Sequence, residues 1–506
     1  MCVRGRSLIF SPTHLAIVVT GSLLCPDAGR AQPVASAADP PAGDPPRAAS
    51  RDAPGDEPIL LPAPRPVGEP TAADVAGAPV PGQESGRLDR VDGGDGAPRL
   101  IGRGFLLLPR LAVQAALAPI RAGVWANERY RLRDRAREAM FNEAGTMGLY
   151  PTVGYLSGYG VTVGARFVHR DLLGARERVA VSAMTGGRLR QAFGASLRTG
   201  DRLGERVQLE LKGEYDRRGR ERFYGIGNGD EAMAPLAPID ALTDPTAVEA
   251  RYDQQLLRAS AIAEVRIARD LRLLGSGALT DLAIDRGAGG ASIDEIYQVD
   301  SLIGRRGVRH AYSELELRWD GRRGGSPWGP RPIYTGGSFA GLYGGRVHRL
   351  DGGADFWRYG VEAQHFLRLG RGLRVLAARA HVEAVSGARD EVPFFELPQL
   401  GGAKLLRGYA TERFRDRIAA VGSLDYAWEL SRLFSARLFT DAGRVYASAD
   451  ELALAGLRLG YGLGIDAHTK TSFWLRTSLA SSIDGGVFLS LAFESVFDVD
   501  RRVEKR

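Results

Sequence analysis

Apolar and ionisable residues alternate along many segments of this chain, and that alternation restricts its possible folds more than any other feature. In residues 206–212, three aliphatic side chains would share one face of a strand, and arginine, glutamine, glutamate and lysine would share the other. Residues 314–320 and 487–494 alternate in the same way. The pattern predicts β-strands that have one apolar face and one polar, often ionised, face.

Such strands fit either a soluble β-sandwich or a membrane barrel, and the ionised face favours the barrel. A sandwich fills its interior with bulky apolar side chains from two sheets. A barrel in a membrane turns its apolar face to lipid and its ionised face to a hydrated lumen. No run of eighteen or more apolar residues follows residue 31, so helical spans are not expected. We therefore predict an all-β fold, a transmembrane antiparallel β-barrel of about 16 strands over residues 147–497.

The amino-terminal end has the layout of an export signal. Arg4 and Arg6 precede an apolar core at residues 15–24, and small residues lead to a cleavage site predicted after Ala31. Residues 1–31 are therefore interpreted as a signal peptide, which implies export and, for a barrel, the outer membrane of a Gram-negative cell. The only two cysteines, Cys2 and Cys25, lie in this segment, so the mature chain would contain no disulfide or thiolate.

Three further segments flank or precede the predicted barrel. Residues 32–98 are rich in Pro, Ala, Gly and Asp and contain no aromatic residue, which predicts a disordered linker. Residues 99–146 are predicted to be a helical periplasmic or plug segment, because apolar residues recur every four positions in 120–141 beside an arginine-rich face. That helix could lie solvated on the rim or dock at the mouth of the barrel. Residues 498–506 form a charged tail.

One loop between predicted strands carries the main candidate for a functional site. The tetrad Leu406, Arg407, Gly408 and Tyr409 places a guanidinium at the tip of this loop, and Gly408 permits a sharp bend directly after it. Because a guanidinium pairs with a carboxylate through two parallel hydrogen bonds, such an arginine suits a confined space that holds an acid. The tetrad alone would also fit an ordinary solvated surface loop.

The alternation places acids in the barrel interior close to this loop in sequence. Asp425 lies on the inward side of one predicted strand, and Phe439 and Asp441 lie on the inward side of the next. We predict that the loop folds inward and that Arg407 pairs with Asp441, Asp425 or both. A buried pair of this kind fixes geometry more than it adds net stability. Alternatively, the acids only line a hydrated lumen and neutralise nearby arginines.

At these residues the chain resembles the bacterial surface antigen family of outer-membrane barrels, which includes the barrel-assembly insertase, its translocation-and-assembly relative and the two-partner secretion transporters. The family's inward-folded sixth extracellular loop carries a Val-Arg-Gly-Phe/Tyr tetrad, which is similar to residues 406–409. Its Phe-x-Asp-x-Gly strand motif is similar to Phe439, Asp441 and Gly443. The resemblance implies that Asp441, and Asp425 one strand earlier, are partners of Arg407 in a sixteen-stranded barrel whose first and last strands meet at a weak seam.

Two segments resemble the family less specifically, and two depart from it. Residues 222–228 and the final strand at 486–493 look like family segments. Members that insert or transport proteins carry polypeptide-transport-associated domains, and the composition of residues 32–98 does not suit one, so we expect a member that lacks these domains. Outer-membrane barrels usually end on an aromatic residue, whereas this chain continues past Phe497.

The resemblance implies a barrel that assists insertion or translocation of a protein or lipid substrate at the outer membrane. Its expected partners are outer-membrane lipid, the barrel-assembly machinery during its own biogenesis, and a periplasmic client or partner protein. The alternative is a passive channel or structural barrel without assembly activity, because a shared fold does not carry function.

Neither enzymatic nor nucleic-acid-binding activity is expected. The chain has no Gly-x-Ser-x-Gly motif, and six of its histidines are scattered without the spacing of metal ligands, at positions 169, 310, 348, 365, 381 and 468. No cofactor or metal is therefore predicted. The net charge of +7 is spread over interleaved arginines and acids, which gives no support to nucleic-acid binding.

Overall fold

Nearly all described residues lie in or beside one large antiparallel β-sheet. The computed structural model describes residues 15–20, 129–130, 135, 138–156, 159–204, 206–326, 329–370, 374–431, 434–468 and 473–492. The predicted linker at 32–98 and the charged tail at 498–506 lie outside these ranges, as does most of the predicted helical segment. The contacts divide the chain into residues 1–29 with 134–506, and residues 30–133, and all strands belong to the first of these units.

The described residues form twenty strands. In chain order they are β1 (Leu15–Thr20), β2 (Met147–Leu156), β3 (Gly160–His169), β4 (Arg178–Thr185), β5 (Arg190–Arg198), β6 (Val207–Phe223), β7 (Ala250–Arg266), β8 (Leu271–Arg286), β9 (Val308–Asp320), β10 (Arg323–Ser326), β11 (Gly329–Arg349), β12 (Phe356–Arg368), β13 (Arg374–Val385), β14 (Gln399–Leu400), β15 (Phe414–Arg415), β16 (Ile418–Ser431), β17 (Phe434–Tyr446), β18 (Arg458–His468), β19 (Phe473–Ser482) and β20 (Val487–Ala492). One α-helical turn, α1 (Ile293–Ile296), and two 3-10 turns, Val299–Ser301 and Ala449–Glu451, lie in connections.

Sixteen of these strands form an uninterrupted antiparallel meander. The large sheet has eighteen strands, of which β1 and β10 are additions, while β14 and β15 pair only with each other. Each remaining strand from β2 to β20 is hydrogen-bonded to the next, with β9 beside β11 and β13 beside β16. The prediction of an all-β fold with about sixteen antiparallel strands is confirmed.

The two ends of the meander differ from the seam that the family resemblance implies. Within the described residues, β2 has a register only with β3, and β20 has registers only with β19 and β1. β1 pairs in parallel with β20, with Leu15 opposite Val487. An edge strand presents unpaired backbone groups, and these can accept any extended segment that reaches them.

The two faces of the sheet have the opposite polarity to that of a soluble protein. On β12, Trp357, Tyr359 and Val361 are 53%, 49% and 43% exposed, whereas Arg358 and Glu362 on the opposite face are buried. The same holds on other strands, where exposed aliphatic side chains alternate with buried ionic ones. The strand facing predicted from the alternation is confirmed, and an exposed apolar outer face of this kind suits lipid.

Connections at the two ends of the strands differ in length. One end, the long-loop end, carries connections that include residues 224–249, 287–307 and 386–417. The opposite short-turn end carries brief connections such as residues 267–270. Barrels of the outer membrane show this asymmetry, with the longer loops outside the cell. No helix in the described part of the chain has the length and apolar character needed to cross a membrane.

The three longest loops pack together into a hydrophobic core at the long-loop end. Phe223 at the end of β6 makes edge-to-face contacts with Tyr297 and Phe394, at centroid distances of 4.8 and 5.0 Å. Ile293 and Leu397 are fully buried in the same cluster. The core contains residues from all three loops, so it holds them against one another.

At the short-turn end, the residues that follow the helical segment lie against the inner face. Residues 129–130, 135 and 138–140 are helical where they are described. Phe141 stacks on inward-facing Tyr150 with a centroid distance of 6.0 Å, and the Arg170 guanidinium lies 4.9 Å from the Phe141 ring centroid. A side chain at Gly148 would collide with the Phe141 ring, so glycine permits this contact.

Candidate functional site

The loop between β13 and β16 turns inward and carries the tetrad at its tip. Its two arms pair as β14 and β15, with Leu400 opposite Phe414. Leu406 has a left-handed backbone, φ 56°, which a leucine rarely adopts. Its side chain is fully buried with Leu400, Phe414 and Val445, and we infer that this packing offsets the strain.

Arg407 is held by two aspartates from adjacent strands. Its backbone N–H, Nε and Nη2 donate to the Asp441 carboxylate at 2.7, 2.8 and 2.7 Å. Its Nη1 and Nη2 donate to the Asp425 carboxylate at 3.1 and 2.6 Å. All three side chains are buried. The guanidinium is thus bidentate to both acids, the geometry in which charge-assisted hydrogen bonds are strongest.

The register of β16 and β17 explains why these side chains meet. Asp425 lies opposite Phe439, and Asp441 lies on the same face of β17 two residues further. The Phe439 ring lies beneath the guanidinium, 3.8 Å from its carbon, where the face of the ring attracts a cation. Gly443 does not contact Arg407 in this way. A Cβ there would lie 2.9 Å from the Ala420 carbonyl oxygen, so its role is close packing of the strands.

The charges continue beyond the residues predicted from the sequence. Arg437 donates to Asp425 at 2.8 Å and to Asp466 at 2.6 Å, and Arg476 donates to Asp466 at 2.7 Å. Acids and arginines therefore alternate from Asp441 to Arg476 across β16, β17, β18 and β19. The sequence indicates Asp466 and Arg476 only through their positions on the inward faces of β18 and β19. Such a position does not show which residues they pair with.

Burial and ion pairing have opposite effects on the pKa of Arg407. Desolvation opposes its charge, but the Asp425 and Asp441 carboxylates more than offset it and raise the pKa of Arg407 above its ordinary value. The side chain is therefore a permanent cation. Removing one member of such a buried pair leaves an uncompensated charge, which is far more costly than the pair itself is stabilising.

Gly408 and Tyr409 fix the tip of the loop to β18 and to the β19–β20 turn. Gly408 has φ 97°, and a Cβ there would collide with the Ser481 carbonyl oxygen. A Cβ at Gly460 on β18 would collide with the Arg407 carbonyl oxygen, so two glycines let the backbones touch. The Tyr409 hydroxyl lies 2.9 Å from Asp484 Oδ2. Burial, with this hydrogen bond, raises the pKa of Tyr409 to about 12.

Two more arginines of the loop, Arg413 and Arg415, donate to backbone carbonyl oxygens. Arg415 is fully buried, donates to the Phe394 carbonyl oxygen at 3.3 Å and lies 4.9 Å from the Phe223 ring centroid. Arg413 donates to the Gly229 carbonyl oxygen at 2.8 Å. The sequence offered no pattern from which these backbone partners could be found.

The histidines are not gathered into a site. Within the described ranges, no group of three or more His, Cys, Asp or Glu side chains is placed to hold a metal ion. His348 pairs with Asp355 at 2.8 Å, and His468 shares a 2.8 Å hydrogen bond with Ser435, so each has a local partner. The arrangement that stands out is the docked arginine loop.

An antiparallel sheet of sixteen consecutive strands, with an apolar outer face and an arginine loop packed on its ionic inner face, has the architecture of a β-barrel of the outer-membrane type. Residues 333–482 match the Omp85 superfamily domain. Over this segment, the family resemblance noted in the sequence is confirmed. The matched segment contains Arg407, both of its acids, and the charges that follow as far as Arg476.

Several solved structures are similar to this chain. BamA from Haemophilus ducreyi lacking POTRA domains 1-3 has 16% sequence identity and a TM-score of 0.48, with 68% of each chain covered. CdiB from Escherichia coli has 12% identity and a TM-score of 0.43, with 67% of this chain and 59% of that chain covered. CdiB from Acinetobacter baumannii has 10% identity and a TM-score of 0.38, with 67% and 54% covered. This chain thus spans less than two thirds of either CdiB chain. No curated protein sequence matches it.

Proposed function

We propose that this protein is an outer-membrane barrel that assists the insertion or translocation of a protein or lipid substrate. The observation that carries the proposal is the Omp85 superfamily match over residues 333–482, because this segment contains the complete arginine site. The superfamily includes barrel-assembly insertases and two-partner secretion transporters. Transfer of this kind needs no chemical step, so no enzymatic activity and no cofactor are proposed.

In this proposal, the docked loop gives β16 to β19 one fixed geometry, and the edge strand β20 receives the incoming segment. An exposed edge can template a new strand by backbone pairing. Residues 15–20 of the predicted signal peptide pair in parallel with β20, which supports an edge that can accept an added extended segment. The fixed wall beside the edge would then set the register in which a client strand pairs.

The proposed setting is the outer membrane of a Gram-negative cell, reached through the predicted signal at residues 1–31. The exposed aliphatic and aromatic side chains of the outer face support contact with lipid. The proposed partners are outer-membrane lipid, the assembly machinery that inserts this barrel, and a periplasmic client or partner protein.

A passive channel is the second candidate. It is favoured by the inner face of β3 to β6, where polar side chains such as Arg166, Lys212 and Glu214 are only half-buried and could line a hydrated path. The packed core of loops at the long-loop end counts against a continuous pore. Conductance in planar bilayers separates the two, because only a channel predicts large and steady currents in the absence of a client.

The test of the proposed function is the variant Arg407→Ala in cells depleted of the wild-type protein. Loss of the guanidinium leaves Asp425 and Asp441 without their shared cation, so we expect weaker assembly or export of clients and altered outer-membrane protein levels. The control is Arg346→Ala, an exposed arginine on the outer side of β11. Wild-type client levels for Arg407→Ala, or unchanged levels on depletion of the protein itself, would contradict the proposal.

A further inference from the structure

A short segment that follows β6 contacts β17 and β18, which are distant from β6 in the strand order. This segment, residues 224–229, is called the strap. The Asn228 side chain donates from Nδ2 to the Val445 carbonyl oxygen at 2.7 Å and accepts the Val445 backbone N–H at Oδ1, 3.1 Å away. The two residues are 217 positions apart in sequence. A side-chain amide has the donor and acceptor of a peptide unit, so Asn228 pairs with the backbone of Val445 as a neighbouring strand would.

The strap is also tied to the arginine loop itself. The Gly227 N–H donates to the Arg415 carbonyl oxygen at 2.8 Å, and Arg413 Nη2 donates to the Gly229 carbonyl oxygen at 2.8 Å. On the other side, Arg458 of β18 donates from Nη2 to the Asn228 carbonyl oxygen at 2.6 Å. The strap is therefore hydrogen-bonded to two residues of the arginine loop, and also to Val445 of β17 and Arg458 of β18.

The contact at Val445 lies close to the arginine site. Val445 is on the inward face of β17, four residues beyond Asp441, and is fully buried beside Leu406. Asn228 thus binds the end of β17, the strand that carries Asp441, the carboxylate partner of Arg407. Removing its amide would leave the N–H and carbonyl of Val445 unpaired in a buried place, which is strongly unfavourable.

We propose that Asn228 is a positioning residue that keeps the arginine loop docked inside the barrel. It acts through Val445 and through the strap's bonds to Arg413 and Arg415, and it does not touch Arg407. The inference deepens the proposed function and rests on it only for the biological consequence, because docking of the loop can be measured whether or not the barrel transfers a substrate.

Hydrogen exchange followed by mass spectrometry tests this inference on the full mature chain refolded in lipid nanodiscs. In Asn228→Ala, we expect backbone amides of residues 403–412 to exchange about tenfold faster or more, because loop opening becomes less costly. The amides of β12, which lies outside the site, should keep their wild-type rates. Asn228→Asp keeps the acceptor for the Val445 N–H and loses the donor, so its loop rates should fall between wild type and Asn228→Ala.

Asn142→Ala is the matched control. Asn142 also uses its side-chain oxygen on a backbone N–H, that of Met147 at 3.0 Å, but it lies at the short-turn end. Its removal should leave exchange in residues 403–412 unchanged.

Two results would overturn the proposal. One is wild-type exchange in residues 403–412 of Asn228→Ala. The other is equal acceleration in the loop and in β12, which would mean that Asn228 only stabilises the barrel as a whole. If Asn228→Ala does not fold, Asn228→Asp decides by the same criterion. Failure of the depletion experiment with Arg407→Ala would leave the exchange result standing, so the two proposals fail separately.

Discussion

At the scale of single residues, the tip of the loop admits only a narrow set of side chains. Two residues with left-handed backbone, Leu406 and Gly408, flank Arg407. Burial of the Leu406 side chain offsets the strain of its left-handed backbone. Gly408 fits against its neighbours only because it has no Cβ. The backbone of the tetrad therefore delivers the guanidinium to Asp425 and Asp441 in one orientation.

Gly408→Ala tests this arrangement. The variant combines a left-handed alanine with a collision at the Ser481 carbonyl oxygen, so we expect it to lower the free energy of unfolding by about 2 kcal/mol or more. Urea titration in lipid vesicles measures the change. Gly213→Ala on the outward side of β6 is the control, because its Cβ would meet no atom within 4 Å, and it should change stability by less than about 0.5 kcal/mol. Equal effects of the two substitutions would argue against a tightly fitted tip.

At the scale of elements, a continuous series of ion pairs connects the arginine loop with four strands, β16 to β19. Arg407 connects the loop to β16 and β17, and Arg437 with Asp466 extends the connection to β18 and β19. Each internal member of this series has a partner on either side. A change at one member therefore alters the charge balance of the next.

Asp466→Asn tests that dependence. It leaves Arg437 and Arg476 without their shared anion, and we expect a loss of about 3–5 kcal/mol in the free energy of unfolding. The double variant Asp466→Leu with Arg476→Met removes both charges and should be less destabilised than Asp466→Asn, because Arg437 retains Asp425. Urea unfolding monitored by tryptophan fluorescence compares the variants. A double variant less stable than Asp466→Asn would show that charge imbalance is not the dominant effect.

Much of the strand pattern could be predicted from sequence, and the long-range contacts could not. Alternation with period two predicted which faces of β6, β9 and β16 point inward, because each face is set by local backbone geometry. The family tetrad singled out Arg407, the strand motif singled out Asp441, and the alternation placed Asp425 on the inward face beside it. The pairing of Asn228 with Val445 leaves no trace in either segment, since an asparagine in a loop has many equivalent uses. The pairing of β1 with β20 was likewise not indicated by any periodic signal.

At the scale of the whole molecule, the sheet separates two environments. Aliphatic and aromatic side chains cover its outer face, and ion pairs, the arginine loop and the residues near Phe141 lie on its inner face. The proposed role at the outer membrane depends on this polarity. The proposed function requires lipid, rather than water, to cover the apolar face.

The most direct test of that central claim is the free energy of folding into lipid vesicles for Leu342→Arg and Met233→Arg. Leu342 lies on the outer face of β11 and is 62% exposed, and Met233 lies in the loop between β6 and β7 and is 92% exposed. If lipid covers the sheet, arginine at Leu342 should cost about 2–4 kcal/mol, while arginine at Met233 should cost nothing measurable. Equal tolerance of both substitutions, or a wild-type protein that stays folded in water without lipid or detergent, would contradict the account.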